Sequence, residues 1–189
     1  MKIIKLYLIV FCTLFVLPYS TVMAYEEANY EIVSKNEVYE IRKYSDRLVI
    51  ETSTSSQNSS FRKLFNYISG SNESNEEIKM TTPVTQIEKD GSMTMQFYLP
   101  VKFNEDNVPN PSNPEVNVLT MKGGYFAVIT YSGRASDNNF IKHKEILEKK
   151  LNEDNVSILS KPIRATYNGP FTLPMLRRNE VMFEIDNNT

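Results

Sequence analysis

Along this chain, alternating strands flank an amphipathic helix twice, and that repeated order constrains the fold more than any other feature. Tyr30 to Val33, Glu37 to Tyr44 and Arg47 to Thr52 read as strands; Val38, Glu40, Arg42 and Tyr44 alternate with Tyr39, Ile41 and Lys43. Ser45-Asp46 marks a turn. A helix follows, which Ser59 or Ser60 can cap, with Phe61, Leu64, Phe65 and Ile68 spaced along one stripe. Gly70 is placed to end it. The polar segment Ser69 to Glu77 is expected to be mobile. Ile78 to Ile87 and Ser92 to Leu99 then predict a hairpin around Asp90-Gly91. In its second strand Met93, Met95, Phe97 and Leu99 share the expected inner face, and Thr94, Gln96 and Tyr98 the outer one.

A loop carrying Pro109, Pro111 and Pro114 leads into the second half. Val116 to Lys122 and Tyr125 to Ser132 read as strands across Gly123-Gly124. A helix from Asp137 to about Asn152, capped by Ser136 or Asp137, comes next. Strands Lys161 to Tyr167 and Asn179 to Ile185 close the chain. The expected result is one α+β domain, residues 25–189, of two pseudo-repeated halves: a curved, mostly antiparallel sheet with two packed helices and a groove between helix and sheet.

The first 24 residues stand apart. Lys2 and Lys5 precede an uncharged run from Leu6 to Leu17, and Val22-Met23-Ala24 supplies the small residues of a cleavage site. The run is short of the roughly 20 residues that span a bilayer. We read residues 1–24 as a cleaved export signal, which places the mature chain in a periplasm or outside the cell, with no membrane span. The only cysteine, Cys12, leaves with it, so disulfides, thiolate metal sites and cysteine nucleophiles are excluded from the mature chain. Removing Lys2 and Lys5 from 21 basic side chains leaves 19 against 23 acidic ones, a net charge of −4. With no basic run, nucleic acid is not an expected partner.

Tyr167 to Val181 contains an apolar loop pinned by Pro170 and Pro174, carrying Phe171, Leu173, Met175 and Leu176. Loops normally run over the wet surface. An apolar one is therefore expected either to lie on a core or to line a pocket.

Four segments in order resemble one family. They are Tyr30-Glu31-Ile32-Val33 with Val38-Tyr39-Glu40-Ile41-Arg42-Lys43-Tyr44, then Tyr67-Ile68-Ser69-Gly70-Ser71-Asn72, then Lys79-Met80-Thr81-Thr82-Pro83-Val84, and finally Arg177-Arg178-Asn179-Glu180-Val181. Together they resemble the SOUL family of haem-binding proteins, from about Tyr30 to Ile185. The resemblance implies a twisted, barrel-like sheet with two helices, and non-covalent binding of haem or a related tetrapyrrole in a shallow apolar groove. In haem-binding members the first helix presents methionines and basic residues. At those positions this chain has Phe61 and Phe65, with Asn58 and Asn66 where cations can stand.

The candidate binding residues are accordingly Phe61, Phe65, Phe171, Met175, Arg177 and His143. Aromatic rings can stack on a macrocycle. Arg177 and Arg178 could pair with propionates, or form an internal ion pair with Glu180 or a carboxylate of the first hairpin. His143 is the only histidine and so the only imidazole that could ligate iron. It can equally be a border residue of its helix, and no metal site is assigned. Met80 and Met175 are softer alternative ligands.

The function expected is that of a non-enzymatic carrier or buffer for a tetrapyrrole or another small hydrophobic ligand. The alternative is an enzyme acting on a small hydrophobic molecule in the same groove, with Glu180 and Tyr167 or Tyr131 as acid and base.

Overall fold

The computed structural model describes residues 25–53, 56–89 and 91–186. The proposed export signal with Cys12 and the turn residue Asp90 lie outside the described residues. In chain order the elements are β1 (Glu26–Glu27), β2 (Tyr30–Lys35), β3 (Glu40–Tyr44), β4 (Arg47–Ser53), α1 (Gln57–Ile68), β5 (Thr81–Thr82), β6 (Val84–Lys89) and β7 (Ser92–Tyr98). The second half supplies β8 (Asn117–Met121), β9 (Gly124–Tyr131), α2 (Asp137–Glu153), β10 (Ile163–Thr166), a 3-10 turn (Pro174–Leu176) and β11 (Asn179–Ile185).

Nine strands form one curled antiparallel sheet in the order β2-β3-β9-β11-β10-β6-β7-β4-β8. The expected pseudo-repeat is visible in that order. Reading outward from the β6–β10 pair, β6-β7-β4-β8 matches β10-β11-β9-β3. Each half then inserts its helix at the same place, α1 between β4 and β6 and α2 between β9 and β10. The antiparallel pairing of Thr85 with Ala165 joins the halves.

Both helices cover the same face of the sheet. Leu64, Tyr67 and Ile68 of α1 pack on Leu48, Ile50, Met95 and Phe97. Leu147 and Leu151 of α2 pack on Ala127, Ile129, Val181 and Phe183. A third cluster, Phe126, Val128, Ile163, Ala165 and Met182, fills the opposite, inner face of the curl. Fully burying each Leu or Phe of this kind contributes about 1.5–3 kcal/mol.

Several sequence expectations are corrected here. The N-cap of α1 is Ser56, whose side chain accepts from the Ser59 amide, rather than Ser59 or Ser60. The buried stripe of α1 is Ser60, Leu64, Tyr67 and Ile68, so Phe61 and Phe65 sit at its exposed edge. Strand β7 is buried on both faces, because the sheet curls over its own inner side: Thr94 and Gln96 are as inaccessible as Phe97, while Met93 is exposed. Gln96 is satisfied there by donating to Glu51 and accepting from Thr85. The segment from Ser69 to Glu77 is no unanchored loop. Buried Asn72 donates to the Tyr67 and Glu76 carbonyls and accepts from the Glu76 amide. Gly70 does end α1, with φ +101 in the region that favours glycine.

Candidate functional site

A groove of about 450 Å³ opens between α1 and the sheet, within the size range of small-molecule sites. Its helical wall carries Phe61 and Phe65, stacked at 6.0 Å between centroids and 13° between planes. They are 42% and 47% exposed, one helical turn apart, so both rings present an edge or face to the opening. Phe61 is braced from beneath by Phe97, edge-on at 5.2 Å. Met80, Val84 and Met95 form the floor, and Tyr167 to Pro170 with Ala135 form the far wall. None of the described residues lining the groove is charged.

The pinned loop rises beyond that far wall. It is rigidly held: Arg177 Nε donates to the Thr172 carbonyl at 2.7 Å and Arg177 Nη2 to the Pro170 carbonyl at 2.5 Å. The Gly133 amide donates to the Pro174 carbonyl at 2.8 Å, tying the loop to the segment ahead of α2. Phe171 is nevertheless 99% exposed, and Leu173, Met175 and Leu176 are exposed too. The loop therefore does not lie on a core. Its Gly169 and Pro170 line the groove, while Phe171 and Leu173 line an adjoining open cleft.

Behind Tyr167, on the inner face of the sheet, stands a buried ionic cluster centred on Glu180, which is fully buried. Arg42 Nη1 donates to both of its oxygens at 3.1 Å, Arg178 Nε to Oε1 at 3.0 Å, and the Tyr167 hydroxyl to Oε2 at 2.7 Å. Thr130 donates to Oε1 at 3.1 Å. Arg178 also reaches Glu27 at 2.9 Å and lies 3.7 Å above the Tyr167 ring. Burial is the largest single influence and pushes the Arg42 and Arg178 guanidinium groups down, but Glu180 together with Tyr44 and Glu40 around Arg42, and with Tyr167 and Glu27 around Arg178, holds both above the ordinary arginine value. Burial first, and then the Glu180 charge, drive the Tyr167 phenol upward. Such a cluster ties β3, β9 and β11 to the Tyr167 wall, and both Glu180 oxygens accept from protein donors. Arg178 thus realises the internal ion pair, while Arg177 gives two of its donors to loop carbonyls.

His143 lies elsewhere, on α2. Its ring stacks on Tyr131 at 4.0 Å and 8°, and Nδ1 meets the Asn139 carbonyl at 2.8 Å. Of the six candidates, the structure brings Phe61 and Phe65 together in the groove and places Phe171 and Arg177 in the adjoining cleft. Met175, in the 3-10 turn, is 73% exposed and lines neither cavity. The floor residues Met80, Val84 and Met95 follow from strand alternation once the covered face is known, whereas nothing in the sequence brings Ala135 to Pro170. A second cavity on the inner face, bordered by Tyr44, Phe126 and Tyr167, measures about 50 Å³ and is too small for an organic ligand. Among the described residues, no three His, Cys, Asp or Glu side chains are grouped to hold a metal, and no helix is long and apolar enough to cross a membrane.

Residues 25–184, which include both walls of the groove and the Glu180 cluster, match the family model of the SOUL heme-binding protein. The chain belongs to the SOUL family. Heme-binding protein 2 of Homo sapiens is 31% identical over 157 residues, 76% of each chain, and that of Mus musculus 30% identical over the same share. Among solved structures the SOUL chain shares its fold with the C-terminal domain of EcmrR, at TM-score 0.58 and 12% identity over 83% of this chain and 98% of that one. A hydrolase from Listeria innocua is similar at TM-score 0.56 and 9% identity, over 82% and 94%. At such identities the last two likenesses concern architecture alone.

Proposed function

We propose that this SOUL protein is an exported, non-enzymatic carrier or buffer that holds haem or a related tetrapyrrole in the groove beside α1. The observation that carries the proposal is the stacked, half-exposed Phe61–Phe65 pair on the wall of an uncharged groove. A protein in water keeps two such rings accessible at a cost that a flat apolar ligand removes. Membership of the SOUL family and the similarity to proteins named for heme binding support the choice of ligand. The export signal read in residues 1–24 supports the location.

The residues present fit the macrocycle better than they fit a strong axial ligand. Phe61, Phe65, Val84 and Pro170 supply apolar surface, and the thioethers of Met80 and Met95 are the soft donors at the floor. The Tyr167 phenol is engaged by Glu180. When bound, haem would supply a redox-active iron, and the chain's own part is to shelter it from water. A haemin titration of the chain from Tyr25 onward tests the reading: a saturable one-to-one Soret shift is expected, weakened in Phe61→Ala. Its absence would remove haem from the function.

One contact keeps the enzymatic alternative testable. Tyr167 lines the groove and hydrogen-bonds Glu180. A turnover screen with esters and lactones on Tyr167→Phe would decide it, since that variant keeps the carboxylate cluster that Glu180→Gln would disrupt.

A further inference from the structure

The groove and the open cleft beside it share Ala135 and Pro170 as a common border. They differ sharply in charge. The cleft is lined by two charged side chains, both cationic, Arg134 and Arg177, and by no acidic one among the described residues. Arg177 commits two of its five N–H donors to the Thr172 and Pro170 carbonyls, which leaves three. Among the described residues the exposed Arg134 guanidinium has no hydrogen-bond or ion-pair partner. Its backbone carbonyl, in contrast, is fixed by Asn139, so the base of the side chain is well placed. The neighbouring carboxylate, Asp137, is occupied by Arg164 at 2.7 Å. Phe171 and Leu173 complete the cleft with apolar walls that have no protein to cover them.

An uncharged aromatic groove running into a cationic cleft suits a ligand with an apolar body and an anionic end. We infer that Arg134 and Arg177 form an anion subsite for the carboxylates of the bound ligand, reaching it from the far wall rather than from α1. Asn58 of α1 borders the groove and provides no charge there. The cations come instead from the segment ahead of α2 and from the pinned loop, whose rigidity limits the entropy lost on binding. The subsite rests on the tetrapyrrole reading for the identity of the apolar body, though not for the anionic end.

The test compares haemin with its dimethyl ester on the full protein, Arg134→Gln, Arg134→Lys and Arg62→Gln. Arg62 is exposed on α1 and lines neither cavity, so its variant changes net charge equally. We expect Arg134→Gln to weaken haemin about fivefold, the upper end for a solvent-exposed ion pair, and to leave the ester unchanged. Arg134→Lys should restore most of the loss, and Arg62→Gln should have none. Equal effects on acid and ester, or none on either, would overturn the subsite. The same proteins are titrated with 8-anilinonaphthalene-1-sulfonate, an aromatic body bearing one sulfonate. Dependence of that binding on Arg134 without haemin binding would retain the anion subsite and sink the tetrapyrrole reading. Independence from Arg134 with both probes would sink the subsite alone.

Discussion

Arg42 of β3 and Glu180 of β11 are held together across the intervening strand β9, with Arg42 Nη1 at 3.1 Å from each carboxylate oxygen. Their side chains are 3% and 0% exposed. A buried ion pair stabilises little against well-packed apolar replacements, but removing one partner leaves an uncompensated charge. Glu180→Gln should therefore lower unfolding free energy by about 3 kcal/mol, read as a drop in urea midpoint. Combining Arg42→Met with Glu180→Leu should recover much of that loss. If Glu180→Gln unfolds at the wild-type midpoint, the cluster is not what orders β3, β9 and β11.

The groove wall makes a contrasting prediction. Phe61 and Phe65 are nearly half exposed, so Phe65→Ala should cost about 1 kcal/mol of stability or less, below the loss at a buried core site. Haemin affinity should fall about tenfold, because the stacked surface is halved. A variant that loses stability in proportion to affinity would make the pair a packing feature.

The acid limb of stability should depend on Glu40. The hydrogen bond from Lys35 holds its carboxyl below the ordinary value; burial opposes this, and Arg42 adds to the lowering. A folded value below the unfolded one means the stabilisation is fully present above the unfolded pKa, near 4.3, and is lost as pH falls through the folded one. Glu40→Gln should flatten the fall in thermal midpoint below about pH 4.5, with little slope change near neutrality. An unchanged acid limb in the variant would assign it to other carboxylates.

Gly123 meets the turn at Ser45 so closely that a Cβ there would lie 2.3 Å from the Tyr44 carbonyl oxygen and 2.7 Å from the Ser45 carbonyl carbon. Both obstacles are backbone and cannot swing away. Gly123→Ala should destabilise by about 1–3 kcal/mol, as overpacking does, and lower the melting temperature by several degrees. Gly91→Ala is the comparison: it has open space around its Cβ and only its φ of +75 to strain it. Equal losses in the two would show that the close approach adds nothing.

Periodicity made the fold readable because each element obeys its own spacing: β11 runs from Asn179 to Ile185, as the alternation has it, and α2 starts at Asp137 behind Ser136. Boundaries blurred where the local chemistry was redundant. A run of Ser and Thr before α1 offers several equivalent caps, and only the chain path selects Ser56. The curl of the sheet was the larger unknown. A strand half-buried in a flat sheet and one buried in a curled sheet can share a pattern, so alternation alone puts Gln96 on the outer face, whereas the curl buries it beside Glu51. The groove was legible on its helical side through Phe61 and Phe65. Its far wall was not, since Ala135 and Pro170 are distant in sequence and are brought together by tertiary bonds such as Gly133 to Pro174 and Asn179 to Gly133.

His143 gives the last prediction, which separates iron ligation from packing. Its ring is stacked almost parallel on Tyr131, and Nδ1 is beside the Asn139 carbonyl within the same helix. Neither the groove nor the cationic cleft includes it among their lining residues. To reach a macrocycle stacked on Phe61 and Phe65, the imidazole would have to leave Tyr131 and cross from one helix to the other. His143→Ala should therefore leave the haemin midpoint and Soret position unchanged, and cost about 0.5–1.5 kcal/mol of stability through the lost ring contact. His143→Phe, which can keep the stack but offers no nitrogen, should restore stability. Loss of the Soret shift in both variants, with the fold retained, would make the imidazole an iron ligand and move the binding surface to α2.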